Sequence, residues 1–141
     1  MLATMKSTRL ILIGATLFLI GSGTRAQLSV AVLPSKIATQ KAIIPLEMKN
    51  SFAEEIQSAR AVLFLLDPDG NMISQATRWV IGGTKNTPGL MAGETKVFYF
   101  VITAQKPHTT NMSARIQFNR LILKGGRLAD LTTELTVKYK H

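Results

Sequence analysis

The stretch Ala59-Arg60-Ala61-Val62-Leu63-Phe64-Leu65-Leu66-Asp67-Pro68-Asp69-Gly70-Asn71-Met72 holds five consecutive apolar residues, followed at once by turn chemistry. Apolar side chains on both faces of a short segment predict a central β-strand, Ala59 to Leu66, covered on each side. Pro68 fixes φ at the first corner of the turn and Gly70 accepts a left-handed conformation at the next, so a second strand should begin at Met72.

Outward from this hairpin, apolar and polar residues alternate with period two between turn signals, and no segment keeps the three-to-four spacing of an amphipathic helix. Seven strands are predicted: Leu28 to Leu33, Ala42 to Lys49, Ala59 to Leu66, Met72 to Ile81, Thr95 to Thr103, Ser113 to Leu123 and Leu128 to Tyr139. Seven short antiparallel strands in about 115 residues predict an all-β, immunoglobulin-like β-sandwich. The adjacent glycines Gly125 and Gly126 suit a two-residue turn between the last two strands. That turn places Ala114 opposite Val137, Ile116 opposite Leu135, Phe118 opposite Thr133 and Arg120 opposite Leu131, which leaves one face largely apolar. Leu121, Leu123 and Leu128 change face near the turn, so a bulge or covering loop is expected there.

The N-terminus has the order of an export signal. Lys6 and Arg9 precede an apolar run from Leu10 to Ile20, and small residues lead up to Ala26. The run is shorter than the ~20 apolar residues a bilayer span needs. Residues 1–26 are therefore read as a cleavable signal peptide and residues 27–141 as one domain, exported to the periplasm or secreted, with no membrane span in the mature form. With no cysteine the domain can form neither disulfides nor thiolate metal sites, and a small exported domain without disulfides points to a bacterial source.

Of 17 basic residues, Lys6, Arg9 and Arg25 leave with the signal, so 14 remain against 8 acidic ones and the mature domain carries +6. The lysines and arginines are spread singly, without the clustered basic and aromatic pattern of a nucleic-acid binder. No nucleic acid is expected as a partner. Attraction to an anionic envelope polymer is compatible with the charge.

Leu63-Phe64-Leu65-Leu66-Asp67 with Gly70, preceded by Asn50 and followed by Gly93-Glu94-Thr95 and Phe98, resembles the small exported bacterial β-sandwich modules called FxLYD domains. The resemblance runs from about Ile44 to Phe100, with Leu63 where that family has Phe and Leu66 where it has Tyr. It implies an immunoglobulin-like module outside the cytoplasm and supplies no catalytic residue.

Chemistry-bearing motifs are sparse. Asp67, Asp69 and Asn71 alternate as in a calcium loop, but counting from Asp67 puts Arg78 where a bidentate Glu belongs and Gly70 at position four rather than six, which favours a plain turn. His108 and His141 are isolated, so no metal site or cofactor is expected. Asn111-Met112-Ser113 is a glycosylation sequon, relevant only in a eukaryotic source. No nucleophile elbow, phosphate loop or carboxylate pair stands out, and Glu47, Glu54 and Glu55 read as solvated charges, so no catalytic residue is assigned and the chain is not expected to be an enzyme. Trp79 is expected to seal the core, the other reading being an exposed ring that stacks on sugars or anchors a partner. The loop Gly82 to Gly93, with Leu90 and Met91, is the first place to look for binding, although no binding residue is assigned. The expected function is an exported, non-catalytic interaction or structural module of the bacterial envelope, binding a protein partner through an edge strand or loop. A small binder of an anionic polymer or ligand is the alternative.

Overall fold

The computed structural model describes residues 27–38, 40–84, 87–103 and 112–141. Among them are eight strands in two sheets and no helix: β1 Leu28–Val32, β2 Lys36–Ala38, β3 Lys41–Asn50, β4 Ile56–Leu66, β5 Met72–Ile81, β6 Thr95–Thr103, β7 Ser113–Leu123 and β8 Leu135–Tyr139. The predicted signal segment, His108 and the sequon's Asn111 lie outside the described residues.

The larger sheet is organised on β3. One of its sides pairs along its length with β6, while β1 and β2 share the other, Leu28 lying opposite Asn50 and Lys36 opposite Ile43. The pairing slips by one residue between β1 and β2, at Leu33-Pro34-Ser35, so the two strands are one strand interrupted by a kink. The kink explains how Pro45 sits in the middle of β3, where a proline is normally excluded from a strand flanked on both sides. Its carbonyl accepts from the Leu33 amide at 3.0 Å, so its missing N–H faces the same side, into the break beside Pro34.

The smaller sheet has the order β5-β4-β7, with β4 central as its apolar run requires. Ala59, Ala61, Leu63 and Leu65 point inward and are fully buried. With Leu28, Ile44, Leu46, Met48, Phe100, Ile102, Ile116, Phe118 and others they form a single apolar cluster fed by both sheets. Each such Leu or Ile stabilises the fold by about 1.5–3 kcal/mol relative to an exposed position. Val62, Phe64 and Leu66 are only half-buried, so β4 is covered fully on one face rather than on both.

Three sequence expectations are corrected. The strands number eight among the described residues rather than seven, because the kink at Pro34 adds β2. They are not all antiparallel, because β8 runs parallel to β1, from Leu28 opposite Leu135 to Val32 opposite Tyr139. The long terminal hairpin is also absent.

The turn at Gly125 and Gly126 does form, with both φ angles near +90°, and it is closed by Leu123 N–H to the Arg127 carbonyl and Ala129 N–H to the Leu121 carbonyl. Pairing stops at Ala129, however, so Ala114 never meets Val137, nor Ile116 Leu135. Residues 130–134 fold into a tight turn instead. The Asp130 carboxylate accepts from the Thr132 amide at 2.9 Å and the Thr132 hydroxyl at 2.6 Å. The Glu134 carboxylate accepts from the Asp130 amide, and the Glu134 amide donates back to the Asp130 carbonyl, each at 2.8 Å. These local bonds offer the backbone an alternative to the ladder. They swing the chain across to the other sheet, where Gln27 and Leu28 donate to the Glu134 carbonyl and β8 begins.

Candidate functional site

The residues singled out by sequence fall into structural roles. Asp67 accepts from the amides of Asp69 at 2.9 Å and Asn71 at 2.8 Å, so its carboxylate organises the β4–β5 turn. Among the described residues no group of three or more His, Asp or Glu converges as metal ligands. Glu54 pairs with Arg127 at 3.2 Å, and Arg127 also approaches Glu134 at 3.8 Å and lies over the Phe52 ring. The Glu54 hydrogen bond is the chief cause holding the Arg127 guanidinium above its ordinary pKa. This clasp ties the loop after β3 to the turn after β7. Glu47 lies on the outer face of β3, opposite Val97.

Leu90 anchors the Gly82 to Gly93 segment to the core. Leu90 is buried and exchanges two backbone hydrogen bonds with Ile56, at 2.9 and 3.0 Å. A side chain at Gly89 would meet the Ile56 carbonyl oxygen at 2.4 Å. Met91, its neighbour, is exposed. Asn50 fixes this arrangement. It is the one buried polar side chain among the described residues, donating to the Glu54 and Leu90 carbonyls at 2.9 Å each and accepting from the Phe52 amide at 2.8 Å. Sequence reading noticed Asn50 only as part of a resemblance.

Trp79 does not seal the core. A register shift between Ala59 and Arg60 leaves Val80 as an extra residue, so Ile81 faces inward at 0% exposure while Trp79 turns outward opposite Arg60 at 42%. Its indole packs on Gly83, whose φ is +91° and where any side chain would strike the Trp79 ring. The Arg60 guanidinium lies 5.9 Å from the ring centre.

The surface feature with most potential for recognition is the side of the molecule formed by β5 and β6. Each is an edge strand, β5 pairing only with β4 and β6 only with β3 among the described residues. Where they approach, the Ser74 hydroxyl donates to the Thr103 carbonyl at 3.2 Å. Six of the eight large apolar side chains exposed among the described residues belong to these strands: Met72, Ile73 and Trp79 on β5, and Val97, Tyr99 and Val101 on β6. They fall on the outward faces of the two sheets, Ile73 and Trp79 on the smaller and Val97, Tyr99 and Val101 on the larger.

On the opposite side β8 pairs only with β1 and β7 only with β4, and the β7 edge is partly covered. The Tyr139 hydroxyl accepts from the Ile116 amide at 3.1 Å and so occupies part of the free edge of β7, and the turn after β7 bonds that edge at Leu121 and Leu123. Beside Tyr139 a cleft of about 370 Å³ opens between Pro34, Ile37, Met112, Arg115 and Lys140. A shallower groove of about 570 Å³ lies on the outer face of the larger sheet, with Ala31 and Thr136 in it and Lys49, Lys138, Lys140 and Glu47 around them.

No protein-family model matches this chain, and no curated protein matches it. Among solved structures it is similar to IrmA from Escherichia coli, with 10% identity and a TM-score of 0.49 over 83% of this chain and 95% of that one. It is also similar to the alkylpurine DNA glycosylase AlkC of Pseudomonas fluorescens, a structure bound to DNA containing an abasic-site analogue. There the identity is 10% and the TM-score 0.35, over 89% of this chain and 33% of that chain. The expectation that the chain is not an enzyme is withdrawn: the second structure is a DNA glycosylase, and a likeness at this score carries no argument in either direction. The absence of a sequence motif does not set a two-sheet fold apart from enzymes, because chemistry resides in sites and not in architecture. At these scores neither likeness says what this chain binds or does.

No helix of the described residues is long and apolar enough to cross a membrane.

Proposed function

We propose that this chain is an exported interaction module of the bacterial envelope that binds a protein partner by accepting one of its strands on the β5/β6 side. The observation that carries the reading is the contrast between the two sides of the molecule. The β7 edge is partly capped by Tyr139 and the Gly125-Gly126 turn, while β5 and β6, ten and nine residues long, pair on one side only and carry six exposed large apolar side chains. Natural sheets blunt unwanted edges with charge, proline or a covering segment. β5 holds one charged residue, Arg78, and β6 one, Lys96, and neither contains proline. An open edge offers main-chain hydrogen bonds for affinity and alternate side chains for specificity.

The same reading takes residues 1–26 as a cleavable signal peptide and the two sheets as an immunoglobulin-like sandwich of the FxLYD type. Its support is the charged, apolar, small-residue order of the N-terminus and the parallel pairing of the first and last strands around one core.

A pull-down from envelope extract tests the function. The partner should remain bound at about 0.5 M salt, where Debye screening reaches ~4 Å, and should be lost when Ile73→Lys and Tyr99→Lys are introduced together. Tyr99 is 66% exposed, so this change leaves the core intact. A second reading, binding of an anionic polymer, is favoured by the groove flanked by Lys49, Lys138 and Lys140. It predicts the reverse: loss at high salt and no weakening on adding lysines.

A further inference from the structure

The two sheets divide the basic residues by type. All four strand arginines, Arg60, Arg78, Arg115 and Arg120, belong to the three-stranded sheet, which contains no Lys, Asp or Glu. Every strand lysine belongs to the five-stranded sheet. None of the four arginines is in an ion pair among the described residues, where the pairs are Lys96 with Glu94 and Arg127 with Glu54 and Glu134.

Arg60 and Arg120 are direct register partners across β4 and β7. Like charges in that relation are destabilising, and no ion pair among the described residues offsets them. Two of the arginines are also held in place: Arg60 over Trp79, and Arg115 over the Tyr139 ring at 5.0 Å. Stacked guanidinium groups lose less freedom on binding and keep their forked donors free for a carboxylate.

We infer that the outer face of the β5-β4-β7 sheet binds an extended acidic peptide whose carboxylates, four residues apart, reach Arg60 with Arg120 at one end and Arg115 at the other. Arg115 lies opposite Phe64, four residues along β4 from Arg60, a backbone rise along the strand of about 13 Å at ~3.3 Å per residue. Carboxylates at positions i and i+4 of an extended peptide have that same separation and share one face. Between the two posts lies the half-buried Val62, flanked by Thr77 and Gln117, with Phe64 and Gln75 level with Arg115. An apolar side chain at i+2 fits there. A polyanion with a charge on every unit would instead set its middle charges over Val62, without partners. The inference concerns a different surface from the β5/β6 edge, and different substitutions test the two.

The probe is a dye-labelled synthetic peptide, Thr-Glu-Thr-Val-Thr-Glu-Thr, followed by fluorescence anisotropy against the full mature chain, with Trp79 emission as a second readout. Saturable binding is expected. Arg60→Gln, Arg115→Gln, or Gln in place of either peptide glutamate should each weaken it about tenfold, as for loss of one charge-assisted contact. Arg78→Gln, whose register partner Ala61 is buried inward, should leave affinity unchanged. Melting curves matching the parent show that the variants fold. The inference is overturned by no anisotropy change up to millimolar chain, by equal binding of the all-glutamine peptide, by indifference to both arginine substitutions, or by tighter binding of heparin or a single-stranded oligonucleotide than of the peptide.

Discussion

Replacing Asn50 by Ala should be the most costly single polar substitution in this domain. The side chain is 0% exposed and makes three hydrogen bonds, to the Phe52 amide and to the Leu90 and Glu54 carbonyls. Their loss is unequal. The buried Phe52 N–H is left without its partner, at about 1–3 kcal/mol. The Leu90 carbonyl keeps the Ile56 amide at 2.9 Å, and the Glu54 carbonyl is only partly buried, so each of these adds about 0.5–1 kcal/mol. The total is about 3 kcal/mol, a large part of the 5–15 kcal/mol typical of a domain. Urea unfolding followed by Trp79 emission reads it directly. With a slope of about 1.5 kcal/mol per molar, the midpoint should fall by ~2 M at an unchanged slope.

Asn50→Asp gives an independent signature. A carboxylate can accept from Phe52 but faces two carbonyl oxygens, so its folded-state pKa should lie above the unfolded value of about 3.9. A raised acid pKa contributes stability that is present at low pH and lost as pH rises, so the variant should lie closest to the parent below about pH 4 and fall away above it. A midpoint shift under about 0.5 M for Asn50→Ala, together with a pH-independent deficit for Asn50→Asp, would refute the reasoning.

Trp79 emission should be red-shifted in the native state and readily quenched by iodide, whereas a core indole would emit in the blue and resist quenching. Tyr139→Phe should lower stability by about 1 kcal/mol in chemical denaturation and speed aggregation on agitation, since it uncovers the Ile116 amide on the β7 edge. The Asp130 carboxyl is held below its ordinary value of 3.8, chiefly by the Thr132 hydroxyl and then by the Thr132 amide. A depressed acid pKa contributes stability above the unfolded value and loses it as pH falls through the folded one. Asp130→Asn should therefore flatten the decline in melting temperature below about pH 4. An identical acid limb in both proteins would count against that account.

The bounds of β5, β6 and β7 were legible because alternation is written in each strand's own side chains. So was the β4–β5 turn, whose Pro68 and Gly70 act within four residues. The candidate surfaces were not legible. Trp79 changed sides through a one-residue bulge at Val80, which no local pattern signals. The arginine face needed β4, β5 and β7 aligned in register before Arg60, Arg120 and Arg115 became neighbours.

By itself the sequence determined that this chain forms strands, which residues of most strands point inward, and where the chain turns, because period-two burial and glycine or proline dihedrals are properties of a few adjacent residues. Beyond the β4–β5 hairpin, tertiary structure alone decided which strand each one pairs with. The partner of β8 was settled by the Asp130–Glu134 turn and by the open side of β1, and Asn50 became a structural pin only when Phe52, Glu54 and Leu90 met around it. Outside such a hairpin, pairing partners are chosen by contacts far apart in the chain, and no local preference encodes them.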